Sequence, residues 1–182
     1  MNRVGATLLV FFLLAGVGCL AILRFDRAPR SGRAAPAASP VAVLRMPVAG
    51  MRPEQLAGAS THAPGNDAIE IMAPTGTPVL AATDGRVEKL LDTRRAGHAL
   101  YLRAPDGGTV TYYAHLDRYA PGIAEGARVR AGAPIAYVGY SGGASPAAPN
   151  LHFEVHRMAP GEGWWQGTRV DPYPLLTHEV AG

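Results

Sequence analysis

From Leu44 onward the chain is a succession of short alternating segments separated by Gly, Pro and Asp-Gly turns. The segment Ala68–Met72 places Ile69 and Ile71 on one face and Glu70 on the other, which is the period-two pattern of a half-buried β-strand. Similar segments lie at 77–82, 86–91, 98–103, 109–115, 134–139 and 151–156. No segment after residue 44 carries a 3.6-residue apolar stripe, so the pattern predicts an all-β fold of short strands.

One of the turns predicts a β-hairpin. The stretch Pro105–Gly108 contains an Asp-Gly pair, which tolerates the positive φ that tight hairpin turns require. It lies between two strand-like segments, His98–Arg103 and Thr109–His115. We therefore expect these two segments to pair in an antiparallel arrangement.

Twenty residues without a charge, Val4–Leu23, precede the folded part. A helix of that length spans about 30 Å, which is the thickness of the hydrocarbon core of a bilayer. We therefore predict a transmembrane signal-anchor over residues 1–24, while a cleaved signal peptide remains an alternative. Residues 25–44 are rich in Ala, Pro and Arg and are expected to form a linker, and residues 45–182 a single folded domain.

The net charge of +3 does not describe the folded part. Residues 1–33 contain five arginines and one aspartate, so the remaining residues sum to −1. Without a basic surface, nothing in the charge balance supports a nucleic-acid partner. The single cysteine, Cys19, excludes an internal disulfide and a Cys-x-x-Cys metal site.

Two of the six histidines lie in segments that suggest a functional site. His115 ends the strand-like segment YYAH, and His152 lies in NLHFEVH. In an extended strand, Asn150, His152, Glu154 and His156 point to one face. Four polar side chains in a row are typical of a lined groove, or of an edge strand that faces solvent.

These segments resemble the LytM-type (lysostaphin-like) zinc metallopeptidases of bacterial cell walls. Stretches similar to the family occur in the same order at 73–87, 112–116, 126–139 and 150–155, within a match from Met46 to Pro174. The resemblance implies a compact antiparallel β-sheet domain of barrel-sandwich type with an open groove. It also implies zinc as cofactor, peptidoglycan as partner, and a location in the periplasm or otherwise outside the cytoplasmic membrane.

The family's site uses an H-x-x-x-D motif, a lone histidine and an H-x-H motif. The resemblance implies that Asn66, Glu70 and His152 occupy the three metal-ligand positions, and that His115 and Asn150 occupy the two catalytic positions. Asn66, Glu70 and Asn150 depart from the family pattern. Zinc accepts a Glu oxygen, but an Asn amide is outside its usual ligand set, and Asn150 cannot carry a proton during catalysis.

The departures favour a membrane-anchored cell-envelope domain whose zinc endopeptidase activity is lost or weakened. Such a domain would bind peptidoglycan or regulate another cell-wall hydrolase. Two alternatives stay open: an active zinc metalloendopeptidase that cleaves peptidoglycan cross-links with a variant ligand set, and a non-enzymatic envelope adaptor of lipoyl-like fold. The segment 126–135 suggests the adaptor, because it is similar to the turn of lipoyl-like modules.

Two further features suggest additional site residues. His62 lies in a short loop upstream of Glu70 and could fold back toward the metal position, whereas His156 is too far along its strand to be a ligand. The adjacent Trp164 and Trp165 are either packing residues or the wall of a groove that binds glycan or peptide.

Overall fold

The computed structural model describes residues 44–61 and 67–177. The predicted membrane anchor, residues 1–24, lies outside these ranges, as do His62, Asn66 and the predicted linker up to residue 43. Among the helices within the described ranges, none combines the length and the apolarity needed to cross a bilayer.

The described residues form ten strands and two short helices. In chain order these are α1 (Pro53–Ala59), β1 (Ser60–Thr61), β2 (Ala68–Met72), β3 (Pro78–Leu80), β4 (Gly85–Thr93), β5 (Gly97–Arg103), β6 (Thr109–Tyr119), β7 (Arg128–Val129), β8 (Pro134–Val138), β9 (Asn150–Arg157), β10 (Thr168–Val170) and α2 (Tyr173–Thr177).

The strands belong to a single antiparallel sheet. Its main path runs β1-β2-β9-β6-β5-β4-β7, while β10 also pairs with β9, and β8 joins β6 to β3. Every strand pairing in the described residues is antiparallel. The prediction of an all-β antiparallel sheet is thus confirmed.

The alternation in the sequence explains which face of the sheet forms the core. Ile69 and Ile71 of β2, and Leu151, Phe153 and Val155 of β9, are all fully buried. Their polar neighbours therefore point to the opposite face. Strand β9 pairs with β6 on one side and with β2 and β10 on the other, so the edge-strand interpretation of this segment was wrong.

The predicted hairpin is present between β5 and β6. Gly107 adopts a φ of 71°, and its N–H donates to the Ala104 carbonyl at 3.0 Å. The Asp106 carboxylate accepts a hydrogen bond from the Gly108 N–H at 2.9 Å. The Asp-Gly pair provides the backbone conformation that the sequence predicted.

The two helices were not predicted. They contain seven and five residues, which is too short for a helical apolar stripe to be recognised in a sequence. Each contributes one buried leucine to the core, Leu56 from α1 and Leu176 from α2.

A buried tyrosine links β6 to the segment after β3. The Tyr113 side chain is fully buried, and its hydroxyl accepts hydrogen bonds from the Ala82 N–H at 2.8 Å and from the Thr111 hydroxyl at 3.1 Å. Burial raises the pKa of Tyr113 to about 12, although both hydrogen bonds oppose this shift.

We predict that Tyr113 makes the fold sensitive to alkali. Because the pKa is higher in the folded chain than in the unfolded chain, its contribution to stability is complete below about pH 10 and is lost as the pH rises toward 12. At about pH 11 this loss is on the order of 1 kcal/mol. Urea unfolding at about pH 8 and about pH 11 should therefore show a smaller pH effect in Tyr113→Phe than in the wild type. An identical pH effect in both chains would contradict the assignment.

Candidate functional site

The candidate site lies where three neighbouring strands meet on the polar face of the sheet. In the register of β2, β9 and β6, Glu70 lies opposite His152, and His152 lies opposite Ala114. His115 follows Ala114 directly. The sheet therefore brings Glu70, His152 and His115 together, although they are up to 82 positions apart in the sequence.

A break in strand β6 determines the position of His115. The pairing of β6 with β9 ends at Ala114, and its pairing with β8 begins at Leu116. His115 lies between them with a φ of 61°, and it is the one described non-glycine residue with positive φ. An extra residue in a strand re-aims its side chain, and such bulges are frequent beside functional sites.

A hydrogen bond to the backbone orients the His115 ring. Its Nδ1 lies 3.0 Å from the Ser141 carbonyl oxygen, which can only accept, so Nδ1 carries the proton. Ser141 is itself held, because its hydroxyl donates to the Leu116 carbonyl at 2.6 Å and accepts from the His98 N–H at 3.0 Å. The hydrogen bond at Nδ1 directs Nε2 away from the Ser141 carbonyl, so Nε2 is the ring atom that can contact a ligand.

His152 lies between two carboxylates. Its Nδ1 is 2.5 Å from Glu70 Oε1, and its Nε2 is 3.0 Å from Glu154 Oε1. A carboxylate accepts hydrogen bonds, so each ring nitrogen donates one. Burial disfavours the charged ring, but the hydrogen bonds to Glu154 and Glu70 outweigh it and raise the pKa of His152 to about 9. The ring is therefore a cation at neutral pH.

Glu154 connects His152 to a second layer of charged groups. Its Oε2 accepts a hydrogen bond from His156 Nε2 at 2.7 Å, and its Oε1 accepts one from Arg169 on β10 at 3.2 Å. Burial would raise the pKa of Glu154, yet the hydrogen bonds from His152 and His156 hold it well below its usual range. His156 therefore supports the site through Glu154.

Asn150 lies on the same strand face, two residues before His152. It is 8% exposed, and its side-chain N–H donates to the Ala148 carbonyl at 3.0 Å. Its amide oxygen is buried and has no hydrogen-bond partner among the described residues. The side chain can present hydrogen-bonding groups to a ligand, but it cannot take up a proton as a histidine would.

The donor atoms of Glu70, His115 and His152 allow a direct test of whether zinc fits. One ligand atom from each lies within 4.8 Å of the others, and two histidines with one glutamate are a set that zinc enzymes use. However, two ligand atoms of one tetrahedral zinc ion lie about 3.3 Å apart. The Glu70–His152 contact of 2.5 Å is a hydrogen bond, with no room for an ion between the two atoms. In this arrangement the residues do not fit a zinc site.

An aromatic row leads away from the site. Ring centroids are 6.0 Å apart between His152 and Tyr112, 4.4 Å between Tyr112 and Tyr101, and 4.8 Å between Tyr101 and Trp164. Trp164 therefore packs against the sheet, whereas the side chain of Trp165 is 67% exposed.

A surface cleft lies apart from the candidate site. Its volume is about 770 Å³, and it lies around β4, β7 and the β5–β6 turn. Its lining includes Arg86, Arg103, Arg128 and Arg130, but none of the three clustered residues Glu70, His115 and His152.

The sequence patterns predicted four of the residues described here, Glu70, His115, Asn150 and His152. In the described structure, donor atoms of Glu70, His115 and His152 lie within 4.8 Å of one another. The patterns placed Glu154 on the right face without giving it a role, and they did not find Ser141 or Arg169. The alternation in β9 was the available signal for Glu154. The contacts of Ser141 and Arg169 depend on long-range pairing that the sequence does not reveal.

We predict that Glu154→Gln destabilises the fold by about 2 kcal/mol, because the hydrogen bonds from His152, His156 and Arg169 lose the buried carboxylate that they share. The free energy of unfolding in urea measures this loss. Glu54→Gln is the matched control, because Glu54 forms an exposed ion pair with Arg52 and should leave the urea midpoint close to the wild-type value. Equal midpoints for both variants would contradict a structural role of Glu154.

Comparison with known proteins places these features in a family. The chain is 37% identical over 107 residues to the murein hydrolase activator EnvC of Escherichia coli, a match that covers 58% of this chain and 22% of EnvC. It is 32% identical over 116 residues to an L-Ala–D-Glu endopeptidase of Bacillus subtilis, covering 61% of this chain and 34% of that protein. The chain thus spans less than half the length of these relatives.

Comparison of the fold with solved structures agrees with the sequence comparison. The catalytic domain of lysostaphin from Staphylococcus simulans superposes with a TM-score of 0.51 at 28% identity, covering 62% of this chain and 80% of that domain. The family model described as peptidase family M23 matches residues 64–172, which is more than half of the chain and contains the whole candidate site. The chain therefore belongs to peptidase family M23.

Proposed function

We propose that this chain is a membrane-anchored cell-envelope domain that acts at peptidoglycan and whose zinc endopeptidase activity is lost or weakened. In this proposal it binds peptidoglycan or regulates another cell-wall hydrolase. The chain belongs to a family that acts on peptidoglycan, and this membership supports peptidoglycan as the place where the chain acts. The uncharged run Val4–Leu23 supports the anchor, with the domain in the periplasm or otherwise outside the cytoplasmic membrane.

The observation that carries the proposal is the 2.5 Å hydrogen bond between Glu70 Oε1 and His152 Nδ1. A histidine binds a metal through a nitrogen lone pair, and both nitrogens of His152 donate hydrogen bonds to carboxylates instead. Glu70 and His152 thus neutralise each other, and their combined affinity for a divalent cation is reduced.

The other family positions support the same conclusion. Asn150, at a catalytic position, cannot exchange a proton with water or with a leaving amine. Asn66, at a ligand position, provides a neutral amide where the family pattern has histidine. Among the described residues at catalytic positions, only His115 retains an acid–base group, and a single base without an activated nucleophile gives weak hydrolysis.

Regulation of another enzyme is supported by the relatives. One of them is named an activator of murein hydrolases. A domain that keeps the fold and the polar strand face of a peptidase can bind peptidoglycan or a partner enzyme without cleaving a bond. The lipoyl-like adaptor loses its basis, because the segment 126–135 lies within the M23 match.

An active zinc endopeptidase with a variant ligand set is the second candidate. The observation in its favour is the cluster of Glu70, His115 and His152, whose donor atoms lie within 4.8 Å of one another. In addition, Glu70 Oε2 is buried and has no hydrogen-bond partner in the described part of the chain. This candidate requires the Glu70–His152 hydrogen bond to open.

Metal analysis of the purified 182-residue chain distinguishes the two candidates. After exposure to zinc and removal of the excess, we expect well below one zinc ion per chain and no release of muropeptides from purified sacculi. Stoichiometric zinc together with muropeptide release would contradict the proposal and establish the second candidate.

Restoring the family pattern tests the reason for the loss. The triple variant Asn66→His, Glu70→Asp and Asn150→His is expected to bind close to one zinc ion per chain, because it provides a histidine at the ligand position 66 and a shorter carboxylate that withdraws from His152. Asn150→His alone is the matched control and should leave the zinc content low, since it changes no ligand position. No gain of zinc in the triple variant would contradict the assigned ligand positions.

A further inference from the structure

A tight turn displays two adjacent tryptophans at the end of the aromatic row. The turn is closed by two hydrogen bonds, from the Gln166 N–H to the Gly163 carbonyl at 3.0 Å and from the Gly163 N–H to Gln166 Oε1 at 2.8 Å. Trp164 and Trp165 are its two central residues, with ring centroids 5.4 Å apart in an edge-to-face arrangement. The turn thus fixes both indoles relative to each other.

The exposed indole lies in space that the absence of a side chain at Gly163 leaves open. A Cβ atom at this position would lie 2.5 Å from Trp165 Cζ3 and 2.6 Å from Cη2, so the ring lies over the Gly163 backbone. Real Cβ atoms do not come so close to other atoms, and any side chain here would displace the ring. Trp165 thus rests on the backbone of its own turn while it remains 67% exposed.

The loop that carries the turn is braced against the sheet. Arg103 of β5 donates to the Glu162 carbonyl at 2.9 Å, and the Glu162 carboxylate accepts from the Ala159 N–H at 2.8 Å. Arg103 is also paired with Glu88 of β4 at 2.6 Å. These contacts order the loop before any ligand arrives, which lowers the entropic cost of binding.

A large aromatic surface that is exposed and preordered is typical of a binding site. Among the described residues, the large hydrophobic side chains that remain exposed are Met72, Tyr140 and Trp165, and Trp165 is the most exposed of the three. Aromatic rings with a polar edge bind ligands that combine an apolar face with hydrogen-bonding groups. A pyranose ring has this character, because its C–H groups form an apolar face and its hydroxyl and N-acetyl groups lie at the rim.

The tryptophan pair lies within reach of a short peptide at the candidate site. Three centroid steps of 6.0, 4.4 and 4.8 Å connect His152 to Trp164, and a fourth of 5.4 Å reaches Trp165, so the separations are at most about 15 Å and about 21 Å. An extended peptide of four residues reaches about 14 Å, and one of six residues about 20 Å. A peptide of this length that lies at His152 would therefore extend to the tryptophan pair, where the amino sugar to which it is attached can stack.

We propose that Trp164 and Trp165 form a glycan-binding platform, on which an N-acetylated amino sugar of peptidoglycan stacks while its peptide extends toward His152. This inference rests on the proposed action at peptidoglycan and names the part of the polymer that the tryptophans recognise. Trp165 provides the exposed stacking face, Trp164 supports it from the side, and Gly163 makes the arrangement possible.

Binding of peptide-free N-acetylglucosamine oligomers to the 182-residue chain tests the platform, with tryptophan fluorescence and calorimetry as readouts. We expect the wild type to bind and Trp165→Ala to bind about tenfold more weakly, because one aromatic stacking contact is lost. Gly163→Ala keeps both indoles but displaces the Trp165 ring, so it should also weaken binding. Tyr137→Ala is the matched control, because this aromatic residue lies on β8 beside Arg118 and should bind as the wild type does.

The results separate this inference from the proposed function. If the wild type binds sacculi but not the oligomers, or if Trp165→Ala binds the oligomers as tightly as the wild type, the platform is wrong and the proposed function stands. If the wild type binds neither sacculi nor the oligomers, the platform and the peptidoglycan-binding form of the proposed function are both contradicted, and only regulation of another hydrolase is left. Weaker binding by Trp165→Ala of a sugar-free stem peptide alone would assign the tryptophans to peptide recognition and overturn the inference. Urea unfolding of each variant confirms that the fold is retained.

Discussion

The ring of His152 is held by carboxylates on both sides, and this arrangement determines what the candidate site can do. Glu70 comes from the neighbouring strand β2, and Glu154 lies two residues further along β9, so the register of the sheet alone brings them to the ring. The positive ring lies between two negative groups in a partly buried position, where charges interact more strongly than in water. A group that is neutralised in this way attracts a divalent cation less strongly.

The sheet provides two different environments for its two site histidines. His152 lies in a regular part of β9 and is fixed by carboxylates, whereas His115 lies at the break in β6 and is fixed by the Ser141 carbonyl. The first environment favours a cation. In the second, a backbone carbonyl engages Nδ1 of His115 and leaves Nε2 as the atom that can contact a ligand. This asymmetry is consistent with the proposed domain, which keeps hydrogen-bonding groups on this face of the sheet while zinc-dependent hydrolysis is lost or weakened.

Most of the fold could be predicted from the sequence because the signals that define it are local. Strict alternation in β2 and β9 identified the buried face, and the Asp-Gly pair at 106–107 identified the hairpin. Both are local signals. Helices α1 and α2 were missed because five to seven residues are too few for a helical period, and the central position of β9 was missed because strand neighbours come from distant segments.

The candidate site shows the same difference between local patterns, which a sequence reveals, and long-range contacts, which it does not. Alternation correctly grouped His152 with Glu154 and His156 on one face, but it could not reveal that Glu70 contacts the His152 ring directly or that Arg169 reaches Glu154. Whether two clustered donor atoms share a proton or a metal ion depends on a difference of less than one ångström in their separation, about 2.5 Å against about 3.3 Å, which no sequence pattern encodes.

The protonation state of His152 therefore decides whether this site can bind zinc. Nitrogen-15 NMR of the histidine side chains, recorded at neutral pH with and without added zinc, tests it most directly. We expect both ring nitrogens of His152 to be protonated, with chemical shifts that zinc leaves unchanged. A zinc-dependent shift of one nitrogen to the position of a metal-bound imidazole would contradict it.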